Sequence, residues 1–318
     1  MTGSRSDPVS VGGVPLADAA RGRRAIGIGE LLWDLLPAGP RLGGAPFNVV
    51  AHLHRLGFHA SYLSAVGRDE LGARACAEVT RLGVDASLIQ LADLPTGIVR
   101  VELDADGVPA YEIVSPAAYE ATVSPDLPPA GSGFDVIVFG TLAQRFPGIE
   151  AATRRLSREN PGAVRLYDVN LRRGCWTPRL VAGLLELATV VKMNEAEAAT
   201  IAHELGIPAA PLEDFARALA ARHGVRGVCV TRGADDAALL LDDVFRQVRA
   251  VPVSVADTVG AGDAFAAGLA AGVAVGWPIE AILDLSSRLA GLVASRVGAI
   301  PDWDMPELGR LPGASAAG

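Results

Sequence analysis

The second half of the chain alternates short apolar runs with longer mixed stretches. The apolar runs lie at 135–140, 163–170, 189–194 and 227–233, and their sequences are DVIVFG, AVRLYDVN, TVVKMN and GVCVTRG. Continuous apolar runs indicate strands that are buried on both faces, and helices between such strands are typical of a parallel sheet. The pattern therefore predicts an α/β domain that binds its ligands beyond the carboxyl ends of the strands.

The first half of the chain predicts a second, smaller sheet. A buried strand is expected at Ala25–Gly29, followed by a strand at Leu31–Pro37 that leaves the main sheet. Residues Ile98–Val114 alternate between apolar and polar on both sides of Asp106-Gly107, which predicts a hairpin. We expect this hairpin and the strand at Leu31–Pro37 to pair with each other, apart from the main sheet.

The two ends of the chain have no sustained periodicity. Residues 1–22 are rich in Gly, Ser, Pro, Ala and Arg, and residues 312–318 are mostly small. Such segments bury too little apolar surface to offset the cost of ordering, so we expect a disordered or loosely packed leader and a flexible tail. The folded domain is predicted to span residues 23–311.

Composition narrows the class of protein. The chain has 318 residues, half of them hydrophobic, and a formal charge of -8, which argues against a nucleic-acid partner. No apolar run reaches the roughly 20 residues of a spanning helix, and no secretion signal opens the chain. The sequence predicts a cytoplasmic protein with no membrane partner. Its three cysteines lie far apart without a C-x-x-C pair, so we expect reduced thiols.

The candidate chemistry centres on Ser254–Gly268, SVADTVGAGDAFAAG. Gly260 and Gly262 allow a tight turn, and the amides of Gly260, Ala261 and Gly262 begin a helix without intrahelical partners. Such a helix start attracts anions. Asp263 follows in the first helical turn, where a carboxylate is also common for purely structural reasons. Beside a phosphate-binding turn, a carboxylate can orient an alcohol and accept its proton.

The stretch DTVGAGDAF, Asp257–Phe265, resembles the C-terminal signature of the ribokinase-like sugar kinases, the PfkB carbohydrate kinase family. Val259 stands where that family usually has a second Thr. The resemblance implies a three-layer α/β/α fold with a mostly parallel central sheet and a small β-sheet lid, formed here by about 31–42 and 96–116. It also implies that Asp263 is the catalytic base, that Gly260, Ala261 and Gly262 form an anion hole, and that the protein is a homodimer through the lid.

A second resemblance concerns the sugar end of the site. RLGGAPFNVV, at 41–50, is similar to the family's N-terminal signature, which implies that Gly43, Gly44 and Asn48 hold the sugar together with Asp34. DVNLR and GTLAQR resemble stretches of the fructokinase-like branch. They add Asp168 and Arg172 to the substrate-binding residues; capping of strand ends is the alternative reading for these stretches.

The same family resemblance implies which residues bind the nucleotide. Asn194, Thr231, Arg232 and Gly233 would contact ATP together with Gly260 and Gly262, although Asp236 stands where the family commonly has another glycine. Asn194 and Glu197 share one face of a helix start, which suits water-mediated Mg²⁺ or a simple helix cap. The resemblance also implies that Asp257 neighbours a potassium ion.

The sequence therefore predicts an ATP-dependent sugar kinase whose small-molecule partners are ATP and a sugar, with a ketohexose such as fructose as the expected acceptor. The alternatives within the family are 2-keto-3-deoxygluconate, ribose and nucleoside kinases. A non-catalytic sugar-binding regulator is disfavoured because Asp263 is intact. A nicotinamide-dependent oxidoreductase is disfavoured because Leu32 replaces the third glycine of a dinucleotide fingerprint that Gly27 and Gly29 would begin.

Two features bear on the choice of sugar. Trp33 and Tyr111 are expected to offer ring faces to a hexose or to a partner subunit. Arg172 could recognise a carboxylate, which would favour the ketodeoxy acid, or it could pair with Asp168 four residues earlier. We expect the local pair, which favours the neutral ketohexose.

Overall fold

The computed structural model describes residues 9–11, 14–36, 39–103, 109–125 and 133–314. Within this part of the chain, three sheets are present: a central sheet of nine strands, a separate sheet of four strands and an N-terminal pair. The predicted layered α/β/α architecture with a small separate sheet is confirmed.

In the described ranges, fifteen strands have the following bounds: β1 Ser10–Val11, β2 Val14–Pro15, β3 Arg24–Ile28, β4 Leu32–Leu36, β5 Gly39–Gly43, β6 His59–Gly67, β7 Ile89–Ala92, β8 Gly97–Leu103, β9 Pro109–Ile113, β10 Val136–Phe139, β11 Val164–Asp168, β12 Val190–Asn194, β13 Gly227–Thr231, β14 Asp236–Leu241 and β15 Val244–Arg249.

The part of the chain that the structure describes also contains ten α-helices: α1 Leu16–Ala20, α2 Ala45–Arg55, α3 Glu70–Arg81, α4 Pro147–Glu159, α5 Pro178–Leu185, α6 Glu195–Leu205, α7 Leu212–His223, α8 Ala261–Ala274, α9 Ile279–Ala294 and α10 Met305–Arg310. Short 3₁₀ turns lie at Ala118–Ala121 and Ala143–Arg145.

The strand order of the central sheet is β15-β14-β13-β12-β11-β10-β3-β6-β7. All pairings from β13 to β7 are parallel, and the hairpin strands β14 and β15 complete one edge antiparallel. The order reverses beside β3 and β10, because the chain first builds towards β7 and then returns to build towards β15. The carboxyl ends of β3, β10, β11 and β12 thus face the region where an α/β sheet binds ligands.

Two apolar cores lie on opposite faces of this sheet. Alternate residues of one strand belong to different cores: Val136 and Val138 join one, whereas Ile137 and Phe139 join the other. The first core includes residues of α2, α3, α8 and α9, and the second includes residues of α4 to α7. The uninterrupted apolar runs of the sequence follow from this burial on both faces.

Helix α8 lies inside the molecule, and Ala264–Val273 are all buried. A β-carbon on Gly268 would lie 2.7 Å from the Cα atom of Ser286 in α9, so this glycine allows close contact between the two helices. This contact packs the middle of α8 tightly against α9.

The small sheet has the order β5-β4-β8-β9. The predicted hairpin is confirmed, since β8 and β9 pair antiparallel with Val101 opposite Tyr111. Strand β4 joins β8 in parallel, as expected for a sheet apart from the main one. The predicted turn at Asp106-Gly107 lies outside the described residues, and so does Pro37.

Of the leader predicted over residues 1–22, the structure describes residues 9–11 and 14–22, and part of this segment packs against the first core. Val9, Leu16 and Ala20 are buried in the first core, and α1 forms a short helix there. Spaced four apart, Leu16 and Ala20 lie on one helical face, a pattern too short to stand out among the surrounding small residues.

The expected tail from residue 312 is wrong at its start, because the amide of Ala314 donates to Asp284 Oδ1 at 2.7 Å. Residues 315–318 lie outside the described part. None of the helices in the described ranges is both long and apolar enough to span a bilayer.

Candidate active site

The glycine turn before α8 has the geometry of an anion site. Gly260 caps the helix with φ +79°, and a β-carbon there would lie 2.4 Å from the Cα atom of Ala299. Among the described residues, none accepts from the amides of Gly260, Gly262 and Asp263, whereas the Ala261 amide donates to the Thr258 carbonyl at 3.3 Å. Three unpartnered amides at a helix N-terminus form an anion-binding concavity. The free amide that was expected at Ala261 is therefore found at Asp263 instead.

Asp263 lies at this turn and pairs with a residue from the first half of the chain. Asn48 Nδ2, on α2, donates to Asp263 Oδ2 at 2.7 Å. Burial raises the pKa of Asp263 to about 7, and the charge of Asp168 adds to the rise, whereas Asn48, Lys192 and Arg172 act to lower it. A carboxylate with a pKa near neutrality is suited to general-base catalysis.

Asp168 does not pair with Arg172, and that expectation is wrong. Both oxygens of its buried carboxylate accept from Lys192 Nζ, at 3.1 and 3.2 Å. Neighbouring parallel strands β11 and β12 place the two side chains in register, because Asp168 lies opposite Lys192. Arg172 is exposed, and its guanidinium forms no ion pair or hydrogen bond with any residue in the described ranges, although its backbone carbonyl accepts from the amide of Cys175. The guanidinium of Arg172 thus remains available to a ligand.

Lys192 itself lies beneath the anion turn. A β-carbon on Gly262 would be 3.1 Å from its Nζ atom. Burial lowers the pKa of Lys192, but Asp168, and beyond it Asp263 and Glu197, outweigh burial and raise the pKa above its usual value. The ammonium is therefore charged at neutral pH, and it adds a cation to the free amides of the turn.

The sugar end of the predicted site also comes together. Asp34 on β4 points at the glycine pair, since a β-carbon on Gly43 would lie 3.1 Å from Asp34 Oδ2. Gly44 has φ +134°, and a β-carbon there would lie 2.2 Å from the carbonyl oxygen of Glu30, so only glycine fits. Burial raises the pKa of Asp34, and the charge of Arg172 opposes that rise. Arg172 is therefore near enough to Asp34 for the two charges to interact.

Asn194 and Glu197 adopt the helix-cap geometry. Asn194 Oδ1 accepts from the amide of Glu197, and Glu197 Oε2 accepts from the amide of Asn194. Glu197 Oε1 also accepts from the amide of Leu171 at 2.9 Å. Asn170, one residue earlier, has φ +39°, which is uncommon for a residue other than glycine. Glu197 thus fixes the turn that presents Arg172.

The nucleotide-side loop differs from expectation at Arg232. Its guanidinium pairs with Asp236, through Nε at 2.7 Å and through Nη2, and Gln247 donates to the same carboxylate. Because Asp236 is buried and paired, it shapes the loop where the family commonly has glycine. Gly233 has φ +59°, and Thr231 ends β13. The structure therefore gives Arg232 a structural partner and does not favour it as a phosphate contact.

Asp257 connects three parts of the molecule. Its Oδ1 accepts from the amide of Val259, and its Oδ2 accepts from the amide of Gly298 at 2.9 Å. Arg41 Nη1, on β5 of the small sheet, approaches Oδ2 at 3.8 Å. The carboxylate thus links the anion turn to the segment after α9 and to the small sheet.

The expectation that Trp33 offers a ring face to the sugar is wrong. The side chain is buried, its Nε1 donates to the carbonyl of Leu71 at 3.0 Å, and Arg74 lies over its ring. Of Tyr111 the structure describes the backbone alone.

Sequence reasoning missed two features of the site. Lys192 was visible only as the single lysine of the chain, which carries no spatial information. The contact between Gly260 and Ala299 was also missed. Ala299 is held in place by His52, whose Nε2 donates to the Ala299 carbonyl at 3.0 Å while its Nδ1 accepts from Trp303. Burial lowers the pKa of His52 to about 4, so the neutral ring keeps this arrangement at neutral pH. No local pattern marks either contact.

Residues 39–306 match the model of the pfkB family carbohydrate kinases. A fructokinase of Salmonella typhimurium is 32% identical over 296 residues, which cover 86% of this chain and 94% of that protein.

Solved structures agree in fold. A fructokinase of Xylella fastidiosa with bound ATP superposes with a TM-score of 0.79 at 20% identity, covering 91% of this chain and 97% of that one. A double mutant of a Vibrio cholerae fructokinase, with fructose, ADP and potassium ion bound, gives a TM-score of 0.73 at 24% identity, covering 87% of this chain and 94% of that one.

Proposed function

The chain belongs to the pfkB family of carbohydrate kinases, and from this premise we propose that it transfers the γ-phosphoryl group of ATP to a primary hydroxyl of a ketohexose, with fructose as the first acceptor to test. Its general activity is that of an ATP-dependent sugar kinase. The observation that carries the proposal is Asp263, a carboxylate of raised pKa beside a turn with free amides.

In the proposed mechanism, Asp263 orients the acceptor hydroxyl and takes its proton as the oxygen attacks the γ-phosphorus. Asn48 holds the carboxylate through Oδ2, which leaves Oδ1 of Asp263 for the substrate. The amides of Gly260, Gly262 and Asp263, with the ammonium of Lys192, stabilise the charge that spreads over the transferred group. Fixed donors of this kind need no rearrangement during the reaction.

The sugar is proposed to lie between Asp34, the glycine pair and Arg172. Asp34 accepts hydrogen bonds from two hydroxyls, and Gly43 and Gly44 allow the ring to approach the backbone closely. The fructokinase relative favours a neutral ketohexose.

The free guanidinium of Arg172 favours one second candidate, a ketodeoxy acid such as 2-keto-3-deoxygluconate, because arginine binds carboxylates in a bidentate manner. Comparing kcat/KM for the two sugars, in the wild type and in Arg172→Ala, separates them. A preference for the acid that Arg172→Ala abolishes would replace fructose.

Metal ions are proposed to arrive with ATP. In the described ranges, no group of three acidic, histidine or cysteine side chains is placed to hold a metal, so the residues do not form a dedicated cage. Asn194 and Glu197 would reach Mg²⁺ only through water, since their oxygens already accept backbone amides. Magnesium supplies neutralisation of phosphate charge. We also propose potassium near Asp257; activity in potassium and in tetramethylammonium buffers tests it.

The protein is further proposed to act in the cytoplasm and to form a homodimer through the small sheet. Strands β5 and β9 are the edges of that sheet, and an edge strand can pair with another chain. Light scattering at micromolar concentration measures the mass; a monomer would remove the dimer from the proposal and leave the kinase activity unaffected.

The decisive experiment is Asp263→Asn, which keeps the shape of the side chain and removes the proton acceptor. We expect kcat for fructose to fall by about 10² to 10⁴. ATP binding, measured by calorimetry, should change little, and Asp214→Asn, at an exposed acid in the first turn of α7, serves as the matched control. Turnover close to the wild type in Asp263→Asn would refute the mechanism.

A further inference from the structure

Glu30 is a buried acid directly after β3 that the mechanism above does not use. Its side chain is 5% exposed. Oε1 accepts from the amide of Ala45 at 3.2 Å, at the start of α2, and the main-chain carbonyl accepts from Tyr62 Oη at 2.6 Å. Oε2 receives no hydrogen bond from any residue within the described ranges.

Tyr119 is a second buried group with an unpaired polar atom. It lies in the 3₁₀ turn after β9, is 0% exposed, and packs edge-on against Phe146 with ring centroids 5.9 Å apart. A β-carbon on Gly97 would lie 3.0 Å from both Tyr119 Cδ1 and Leu32 Cβ, which places the ring where β4 and β8 leave the main body. Its Oη atom has no hydrogen-bond partner among the residues described.

The two groups lie at the end of the small sheet that holds the glycine pair. A β-carbon on Gly44 would lie 3.6 Å from Glu30 Cγ, and the β-carbon position of Gly97 lies against both Tyr119 and Leu32, two residues after Glu30. In agreement with this placement, the charge of Glu30 adds to burial in raising the pKa of Tyr119. The charges of Arg172 and Asp168 shift the pKa of Glu30, and so does the amide of Ala45 at the start of α2. Gly44, of the glycine pair, lies against the Glu30 carbonyl. Glu30 and Tyr119 thus lie where the small sheet joins the main body, next to the proposed sugar site.

The chemistry of the pair selects its ligand. A carboxylate accepts hydrogen bonds, a phenol donates one, and neither is bonded to the other. A hydroxyl donates once and accepts as well, so one hydroxyl can satisfy both groups. Buried polar atoms without partners are rare in folded proteins, and each is expected to have a function.

We propose that Glu30 and Tyr119 bind a hydroxyl of the acceptor sugar other than the one that is phosphorylated, and so determine which sugars are accepted. The inference rests on the proposed function, because it deepens the description of the same acceptor site. It assigns to Glu30 two roles: Oε1 holds the helix start that carries Gly44 and Asn48, and Oε2 contacts the ligand.

The test uses Tyr119→Phe, which removes only the hydroxyl, in the full-length protein. Losing one neutral hydrogen bond should raise KM for fructose roughly three- to tenfold with kcat little changed. The melting temperature should stay equal or rise, since the phenol has no protein partner to lose. Tyr167→Phe is the matched control: its Oη is bonded to Thr141 at 2.7 Å, so it should lower the melting temperature and leave KM unchanged.

Glu30→Gln and a series of monodeoxy fructoses complete the experiment. Glu30→Gln keeps an acceptor for Ala45 and removes the charge, so KM should rise roughly tenfold or more. One deoxy sugar should bind wild type and Tyr119→Phe equally, because it lacks the hydroxyl that the phenol contacts. An unchanged KM in Tyr119→Phe, or an equal response to every deoxy sugar, would overturn the inference.

Failure of the proposed function gives a different result. If the wild type does not phosphorylate fructose, the choice of fructose fails, and the variants are compared on whichever sugar of a panel binds by calorimetry. Weaker binding of that sugar in Tyr119→Phe, with Tyr167→Phe unchanged, would still support the pair. Equal binding in both variants, or no binding of any sugar, would overturn it.

Discussion

At the scale of single residues, the charges of the site control one another. Asp263 gains its raised pKa chiefly from burial and secondly from Asp168, and Asn48 and Lys192 limit the rise. Asp168 and Lys192 neutralise each other behind the turn. The carboxylate of Asp263, the proposed base, therefore binds a proton more readily than an ordinary aspartate, because it is buried and lies near a second acid.

The first prediction concerns the pH dependence of kcat. A base must be deprotonated to act, so kcat at saturating fructose should rise with pH through a midpoint of about 7. The hydrogen bond from Asn48 lowers that pKa, so Asn48→Ala should move the midpoint to higher pH. The measurement is a pH–rate profile of both proteins. If kcat of the wild type does not change with pH across the neutral range, the assignment of the base is contradicted.

The second prediction concerns the buried pair. Lys192→Met leaves the carboxylate of Asp168 buried without its partner, which should lower the free energy of unfolding by about 3–5 kcal/mol. Arg226→Met, which breaks the exposed pair with Asp242, is the control and should cost less than about 1 kcal/mol. Urea denaturation measures both. Similar losses in the two variants would mean that the pair at Asp168 is hydrated.

At the scale of elements, the anion turn depends on a neighbour far along the chain. The positive φ of Gly260 brings its backbone against Ala299, and His52 on α2 holds the Ala299 carbonyl. Helix α2 thus contacts the site twice, through Asn48 at Asp263 and through His52 one turn later. The position of the turn follows from the packing of α2, α8 and the segment after α9.

The third prediction compares two glycines of similar conformation. Gly260 and Gly276 have φ values of +79° and +74°, but a β-carbon on Gly276 meets nothing within 4 Å. Alanine at either position should cost roughly 1–2 kcal/mol from backbone strain. Only Gly260→Ala must also displace Ala299, so it alone should lower kcat/KM for ATP strongly. Thermal unfolding and kinetics measure these effects; equal kinetics in both variants would refute the role of the turn.

At the scale of the whole molecule, the small sheet and the main body meet around the site. Asp34 and Arg41 come from the small sheet, whereas Asp257 and Asp263 come from the main body. Arg41 reaches Asp257 next to the anion turn. A sugar bound between the two parts would therefore contact both the small sheet and the anion turn.

The fourth prediction is that sugar binding orders the small sheet. A ligand that bridges the small sheet and the main body adds contacts that exist only in the bound state, so it should stabilise the sheet. Amide exchange in β4 and β8 should slow when fructose is added, while exchange in β10 and β11 of the central sheet should not change. Unchanged exchange in β4 and β8, with a sugar known to bind, would contradict a lid.

The sequence by itself determined the elements and the local chemistry. Unbroken apolar runs report burial on both faces, and glycines at Gly44 and Gly260 report backbone positions that tolerate no side chain. The hairpin of β8 and β9 and the helix start at Asp263 could be predicted because each depends on residues that are neighbours in the chain.

Only the tertiary structure decided the pairings. Asn48 and Asp263 are 215 positions apart, and Asp168 and Lys192 are 24 apart. A carboxylate has several acceptable partners within reach of its flexible side chain, and strand order and register select one of them. Asp168 therefore pairs across the sheet with Lys192, the guanidinium of Arg172 has no partner among the described residues, and Trp33 faces inward. These outcomes follow from packing between distant segments, on which a local sequence pattern carries no information.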